Sequence, residues 1–272
     1  MAKIARDGAL GRAPTRSDTR ALMFAKFVAP PAKIPLKSAF WKKRAPFPNR
    51  SFGNLQIGCC TRAKQAVASL RMERIETRST ATITDAEIER VYYAMTGRLY
   101  GGGDTGAYET DALSEWRKPE LTFTDTKART LTIDAYLRLN PWDHDELRAA
   151  MWTAGAHGIA ICLNLPLGFQ GEGGTWDCPD GALTGIWTPG SWGGHSMWAF
   201  EYEERGIWLD HTWERPPQLL TWRAAARYLD EAHLVIDSMD YWRKKKPVAK
   251  KAIDFAGITK AVNAVSSQKL AA

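Results

Sequence analysis

The chain changes its hydrophobic period at Gly158, and that change limits it to a mixed fold. Upstream, Ala63, Ala66, Val67 and Leu70 fall at i+3, i+6, i+7 and i+10 from Cys60. This helical stripe predicts a helix from Cys60 to about Arg74. Thr84 stands three residues before Glu87, a capping signature that leads into Val91, Tyr92 and Met95. Further helices are predicted over 110–116 and 143–153. Downstream, Ile159, Ile161, Leu163 and Leu165 alternate with Ala160, Cys162 and Asn164 and stop at Pro166, the pattern of a strand. Residues 196–202 and 207–213 read as a hairpin across Glu203-Glu204-Arg205-Gly206. Pro216 and Pro217 open a predicted helix carrying Leu220, Ala224 and Tyr228, and 233–236 predict a last strand. Helices first and strands later make an α+β fold.

Charge divides the chain into three parts. Residues 1–50 hold twelve Lys/Arg against two acids and residues 243–272 hold eight against one, whereas 51–242 carry 17 basic and 27 acidic residues, net −10. The expected organisation is a basic arm (1–48), a body (49–242) and a basic tail (243–272) with a helical stripe of Ile253, Phe255, Ile258, Ala261 and Val262. Residues 1–20 read as flexible, and Pro30, Pro31, Pro35, Pro46 and Pro48 keep the rest of the arm extended along a surface groove. Basic ends of this kind contact nucleic acid or an acidic partner surface, or are solvated tails.

Other classes are excluded or disfavoured. No apolar run approaches the roughly 20 residues of a membrane-spanning helix. Lys3, Arg6, Arg12, Arg16 and Arg20 interrupt the N-terminus, so it is not a secretory signal, while an Arg-rich transit peptide stays open. Cys59, Cys60, Cys162 and Cys178 include no Cys-x-x-Cys, so neither a disulfide framework nor a zinc site is expected, and a reducing compartment is. The Gly101 to Gly106 loop lacks the Gly-Lys-Ser/Thr ending of a phosphate loop. No cofactor and no metal are called for.

What chemistry there is centres on Cys60. Gly58 breaks the chain before it, so the cysteine opens its helix, where the backbone N–H groups favour a thiolate. The competing reading is that Cys59 and Cys60 are small core residues. A thiol nucleophile needs a base. Among five histidines, His195 follows Gly193-Gly194, opens a strand and lies 135 residues after Cys60, within the ~130–150 residue spacing of papain-type enzymes.

On these residues the chain resembles the papain-like cysteine peptidases, and among them the divergent papain-like proteins of tailed bacteriophages. Gly58-Cys59-Cys60-Thr61-Arg62-Ala63 is similar to the family's Gly-x-Cys-x-x-Ala. Leu147 to Met151 with Gly158 to Ile161 is similar to its helix and Gly-Pro-Val-x-Val strand. Gly194 to Phe200 is similar to the Asn-His-Ala-Val strand, and Trp208 to Trp213 to the strand ending in Asn-Ser-Trp. The phage-like features are Tyr93 to Gly97, the Asp104-Thr105-Gly106 turn before a helix ending in Trp116-Arg117, and the stretch from Trp222 to Tyr228. The resemblance spans 50–242.

It implies a papain-like fold with Cys60 as nucleophile and His195 as general base and acid. Gln56, favoured for its longer reach, or Asn54 would donate to the oxyanion, and Asp210 or His211 would orient His195. Neighbours on a strand face opposite ways, so only one of those two can do so. Trp187, Trp192 and Trp213 would wall the substrate cleft. The implied function is hydrolysis of peptide or isopeptide bonds by a phage-encoded enzyme in the host cytoplasm or virion. Two other readings stand beside it. One is a virion protein anchored through its basic ends to other virion subunits or to nucleic acid, and the other is a peptidoglycan amidopeptidase.

Overall fold

In the computed structural model of the chain, the described residues are 9–16, 21–38, 41, 49–245 and 247–268. Their strands are β1 (Ala135–Leu139), β2 (Ile159–Leu165), β3 (Thr175–Trp176), β4 (Gly193–Glu203), β5 (Gly206–Asp210), β6 (Gln218–Thr221) and β7 (Leu229–Ile236). They form one sheet in the order β1-β7-β2-β4-β5-β6-β3, antiparallel except where β3 meets β6. The helices are α1 (Phe24–Phe27), α2 (Cys60–Thr77), α3 (Asp85–Tyr100), α4 (Glu109–Trp116), α5 (His144–Ala154), α6 (Trp222–Tyr228), α7 (Met239–Lys245), α8 (Pro247–Ala252) and α9 (Phe255–Gln268). This is the α+β architecture expected.

Strand alternation sorts the side chains into two cores. Ile159, Ile161, Leu163, Met197 and Ala199 point to one, shared with Leu147 and Met151 of α5 and Ala224 of α6. Ala160, Trp198 and Phe200 point to the other, shared with Ala63, Ala66 and Val67 of α2, Tyr92 of α3 and Leu113 of α4. The central strands are therefore buried on both faces, which is why β2 reads as nearly all apolar.

Local signals account for most boundaries. Thr84 caps α3 by accepting from Glu87 N at 3.2 Å, and Asp143 caps α5 by accepting from Asp145 N and Glu146 N at 3.0 Å. Two elements differ from expectation. Leu220 is in β6 rather than in a helix: Leu219 and Leu220 are both buried, on opposite faces of a strand that pairs with β5, and α6 begins only where Thr221 caps it. Strand β1 has no counterpart in the sequence reading, because five residues at a sheet edge carry too short an alternation to separate from a loop.

The described parts of the two ends fold back on the body. Phe24, Val28 and Trp41 of the arm and Ile253, Phe255 and Ile258 of the tail are buried in the α5-side core. Arm and tail also pair with each other, Ala29 N donating to Ala252 O at 2.8 Å and Asp254 N to Phe27 O at 2.7 Å. Phe40, Pro46, Phe47 and Pro48 lie outside the described residues. Residues 9–16, read as flexible, instead follow an extended path against the body.

The helical half is joined to the sheet by a buried charged pair. Lys64 Nζ of α2 meets Glu109 of α4 with neither side chain exposed, and Ser196 Oγ of β4 donates to Glu109 Oε2 at 2.7 Å. Burial works to raise the Glu109 pKa, but Lys64, His233 and these hydrogen bonds outweigh it and hold the carboxyl below its usual range. Removing one partner strands a buried charge. Lys64→Met is therefore expected to cost about 3–5 kcal/mol in urea denaturation, and adding Glu109→Gln to recover most of the loss.

Candidate active site

The turn before α2 places Cys60. Gly58 N donates to both carboxylate oxygens of Asp104, at 2.9 and 3.1 Å, and Tyr92 Oη donates to Asp104 Oδ1 at 2.6 Å. The Gly-rich loop thus pins the cysteine segment to α3. Cys59 is the N-cap and points its thiol at Phe52 O, 3.5 Å away, while Cys60 is the first residue of the helix. The backbone N–H groups of Ser196 and Gly11 are directed at Cys60 Sγ. Burial dominates nevertheless: it pushes the Cys60 thiol up to about 11 against those N–H groups, so the activation expected at a helix start is absent in this closed state.

His195 comes from β4, immediately before Ser196. Its Nε2 lies 2.8 Å from the main-chain oxygen of His211. A carbonyl only accepts, so Nε2 carries the hydrogen and Nδ1 keeps the lone pair. Nδ1 is buried without a hydrogen-bond partner among the described residues. Trp213 stacks on the ring at 4.3 Å between centroids and 25° between planes, shielding the His195–His211 bond. Burial pushes His195 down to about 3, so the imidazole is neutral near pH 7.

The residues expected behind His195 reach it through the backbone. The His211 ring turns toward Trp176 and Trp213, and burial pushes it down to about 4. Asp210, lifted to about 6 by burial, accepts from Thr212 N at 2.9 Å. Thr212 sits at φ +57°, a left-handed conformation that a β-branched residue resists. The Asp210 carboxylate holds that turn, and the turn presents the His211 carbonyl to His195.

Thr212 also sets the amide of Asn54. Its Oγ1 lies 2.8 Å from Asn54 Oδ1 and 2.7 Å from the His211 carbonyl oxygen, and Asn54 Nδ2 donates to Ala9 O and to Ile57 O, each at 3.0 Å. Asn54 is fully buried and faces the cleft; Gln56 is exposed. Of the three tryptophans, Trp213 covers His195, Trp192 packs on Trp213 at 5.2 Å, and Trp187 stands off against Phe169 at 6.2 Å. Thr212 and Ser196 went unmarked in the sequence, since an isolated hydroxyl has no pattern.

The cleft is filled by the chain's own residues 9–13. Ala9 N donates to Asn54 O at 2.8 Å and Arg12 N to Gly194 O at 3.2 Å. Ala107 N donates to Gly11 O at 2.7 Å, and Ala13 N to Ala107 O at 2.9 Å, a parallel bridge. Glycine permits the approach: a Cβ on Gly11 would overlap the Gly58 carbonyl, and one on Gly194 would overlap the carbonyl of Arg12. The Gly11 carbonyl is turned to Ala107, and the Gly11 N–H works to lower the Cys60 pKa.

Among the described residues, Glu76, His157 and Asp237 alone group metal-type donors, within 4.8 Å of one another. They sit at the other end of α2, about 24 Å from Cys60 at 1.5 Å per residue, and play no part here.

No protein-family model and no curated protein matches the chain. Among solved structures it is similar to xylellain, a cysteine protease from Xylella fastidiosa, at 17% identity over 88% of this chain and 99% of that one, TM-score 0.63. It is also similar to the Carica candamarcensis cysteine protease CMS1MS2, solved with E-64, at 16% identity over 75% and 100%, TM-score 0.53. A third is procathepsin B S9 from Trypanosoma congolense, at 11% identity over 85% and 87%, TM-score 0.58. The fold is that of the papain-like cysteine proteases.

The closed site makes a kinetic prediction. With a pKa of about 11, roughly one Cys60 in ten thousand is ionised at pH 7, so iodoacetamide labelling should be slow and rise about tenfold per pH unit. Gly11→Val should evict the arm; the thiol loses one N–H donor but also the larger burial penalty, and labelling at pH 7 should accelerate at least tenfold. Peptide mapping of the labelled cysteine checks both.

Proposed function

We propose that the protein is a papain-like peptidase with Cys60 as nucleophile and His195 as base, held closed in this state by residues 9–13. One observation carries the reading: the cleft over Cys60 accepts an extended polypeptide, this chain's own, through main-chain hydrogen bonds with Asn54, Ala107 and Gly194. A peptide substrate needs the same contacts.

The proposed steps use these residues in turn. When the arm leaves, water enters, the burial penalty on Cys60 and His195 falls, and the thiol proton passes to His195 Nδ1. The thiolate attacks the scissile carbonyl carbon. The developing oxyanion takes hydrogen bonds from Asn54 Nδ2 and from the Cys60 backbone N–H, which as the first of a helix has no intrahelical acceptor. The imidazolium, its Nε2–H held by the His211 carbonyl, returns a proton to the leaving amine. Water then hydrolyses the thioester, again with His195 as base.

The proposal does not depend on a phage origin, which the solved structures above do not support. Nor does any observation favour a virion anchor or a nucleic-acid contact: Phe24, Val28 and Trp41 of the arm and Ile253, Phe255 and Ile258 of the tail are used inside this chain's own core. Cell-wall amidopeptidase activity likewise has no feature behind it.

In the full-length Gly11→Val chain, hydrolysis of a fluorogenic peptide should be lost with Cys60→Ser. It should fall about 10²–10⁴-fold with His195→Ala and about 10²–10³-fold in kcat with Asn54→Ala. Turnover unchanged by Cys60→Ser would refute the assignment.

A further inference from the structure

Every main-chain contact of the arm is blind to sequence, so any selectivity of the cleft must come from side-chain pockets. One pocket is filled deeply. Arg12, the residue after the one facing Cys60, has a side chain with no exposure and is paired with Asp230. Its Nη1 also donates to Ala13 O and its Nη2 to Thr15 Oγ1, both at 3.1 Å. Thr15 Oγ1 in turn lies 2.8 Å from Asp230 Oδ2 and 3.2 Å from Glu231 Oε2, and Asn164 Nδ2 donates to Asp230 Oδ2 at 3.0 Å.

The sheet builds this pocket. Between β2 and β7 the register shifts: Cys162 faces Glu231 and Leu163 faces Leu229, so Asp230 is an extra residue in the ladder. A bulge of this kind re-aims a side chain, here into the cleft beside Gly194. It sets two adjacent carboxylates on one rim, Asp230 with 17% and Glu231 with 3% of the side chain exposed. Paired acids this buried are costly without a cation. Arg12 supplies one while the arm is seated; once it leaves, the position is open to a guanidinium from another chain. Nη2 of Arg12 meets Asp230 while Nη1 reaches back to the main chain of the next residue at Ala13 O, a two-way reach of the guanidinium that a lysine point charge lacks.

We infer that the Asp230–Glu231 pocket selects arginine, so that the substrates are peptides carrying arginine in the place now taken by Arg12. The inference rests on the peptidase reading and deepens it. The pocket serves twice, since the same carboxylates hold the arm down by its own arginine.

Two measurements on the full-length Gly11→Val chain test it. Fluorogenic peptides that differ only by Arg, Lys or Leu at this position should show kcat/KM at least about tenfold higher for Arg than for Leu, with Lys between; Asp230→Asn should remove most of the difference. A labelled peptide of residues 8–16 should bind the same chain at least about tenfold more tightly than its Arg12→Leu version, a readout that needs no turnover and no change in the pocket. Cleavage without preference overturns the inference and leaves the peptidase reading standing. Selective binding without any cleavage does the reverse, sustaining the pocket as an arginine site while the peptidase reading falls. Equal binding of the two peptides, with or without cleavage, overturns the pocket.

Discussion

Exclusion of water where the start of α2 meets β4 governs this structure. Cys60 and His195 are both completely buried there. In such surroundings a thiolate and an imidazolium are each expensive, and burial moves the two groups apart, the thiol up and the imidazole down. The ion pair that the proposed peptidase requires is thereby held neutral. The structural elements needed for it are already in place: the helix start, the Nε2–H bond to the His211 carbonyl, the Trp213 ring over His195. What is missing is solvent, and the residues that keep solvent out are those of the chain's own arm.

The two halves of the site depend on each other through few contacts. Ser196 aims its backbone N–H at Cys60 and gives its hydroxyl to Glu109, which is held by Lys64, one turn along α2 from the cysteine. Thr212 links Asn54 to the turn that carries the His211 carbonyl. Cys60, His195 and Asn54 are thus referenced to one another by buried hydrogen bonds rather than by loops, the kind of rigidity that the proposed catalysis requires.

The sequence was informative where a pattern runs over many residues. The α2 stripe, the β2 alternation and the capping signature at Thr84 each repeat a physical requirement several times, and the Cys60 to His195 interval added topology. It was less informative where one atom decides. Asn54 differs from Gln56 because it is buried with its amide held between Thr212 and two carbonyls, whereas Gln56 is exposed, and no local spacing reveals this. Asp210 and His211 competed as side chains, but the contact to His195 is a carbonyl, a group every residue has. Residues 9–16 read as flexible because their composition is polar and Gly-rich; the fit of Gly11 against Gly58 and of Arg12 against Asp230 is a matter of tertiary complementarity.

The most direct test of a neutral, self-closed Cys–His pair is the ¹⁵N NMR of His195. In the full-length chain at pH 7 the account predicts a protonated Nε2 and an unprotonated Nδ1. In the Gly11→Val chain both nitrogens should be protonated as the imidazolium pairs with the Cys60 thiolate. An imidazolium in the unaltered chain, or a proton on Nδ1 alone, would contradict it.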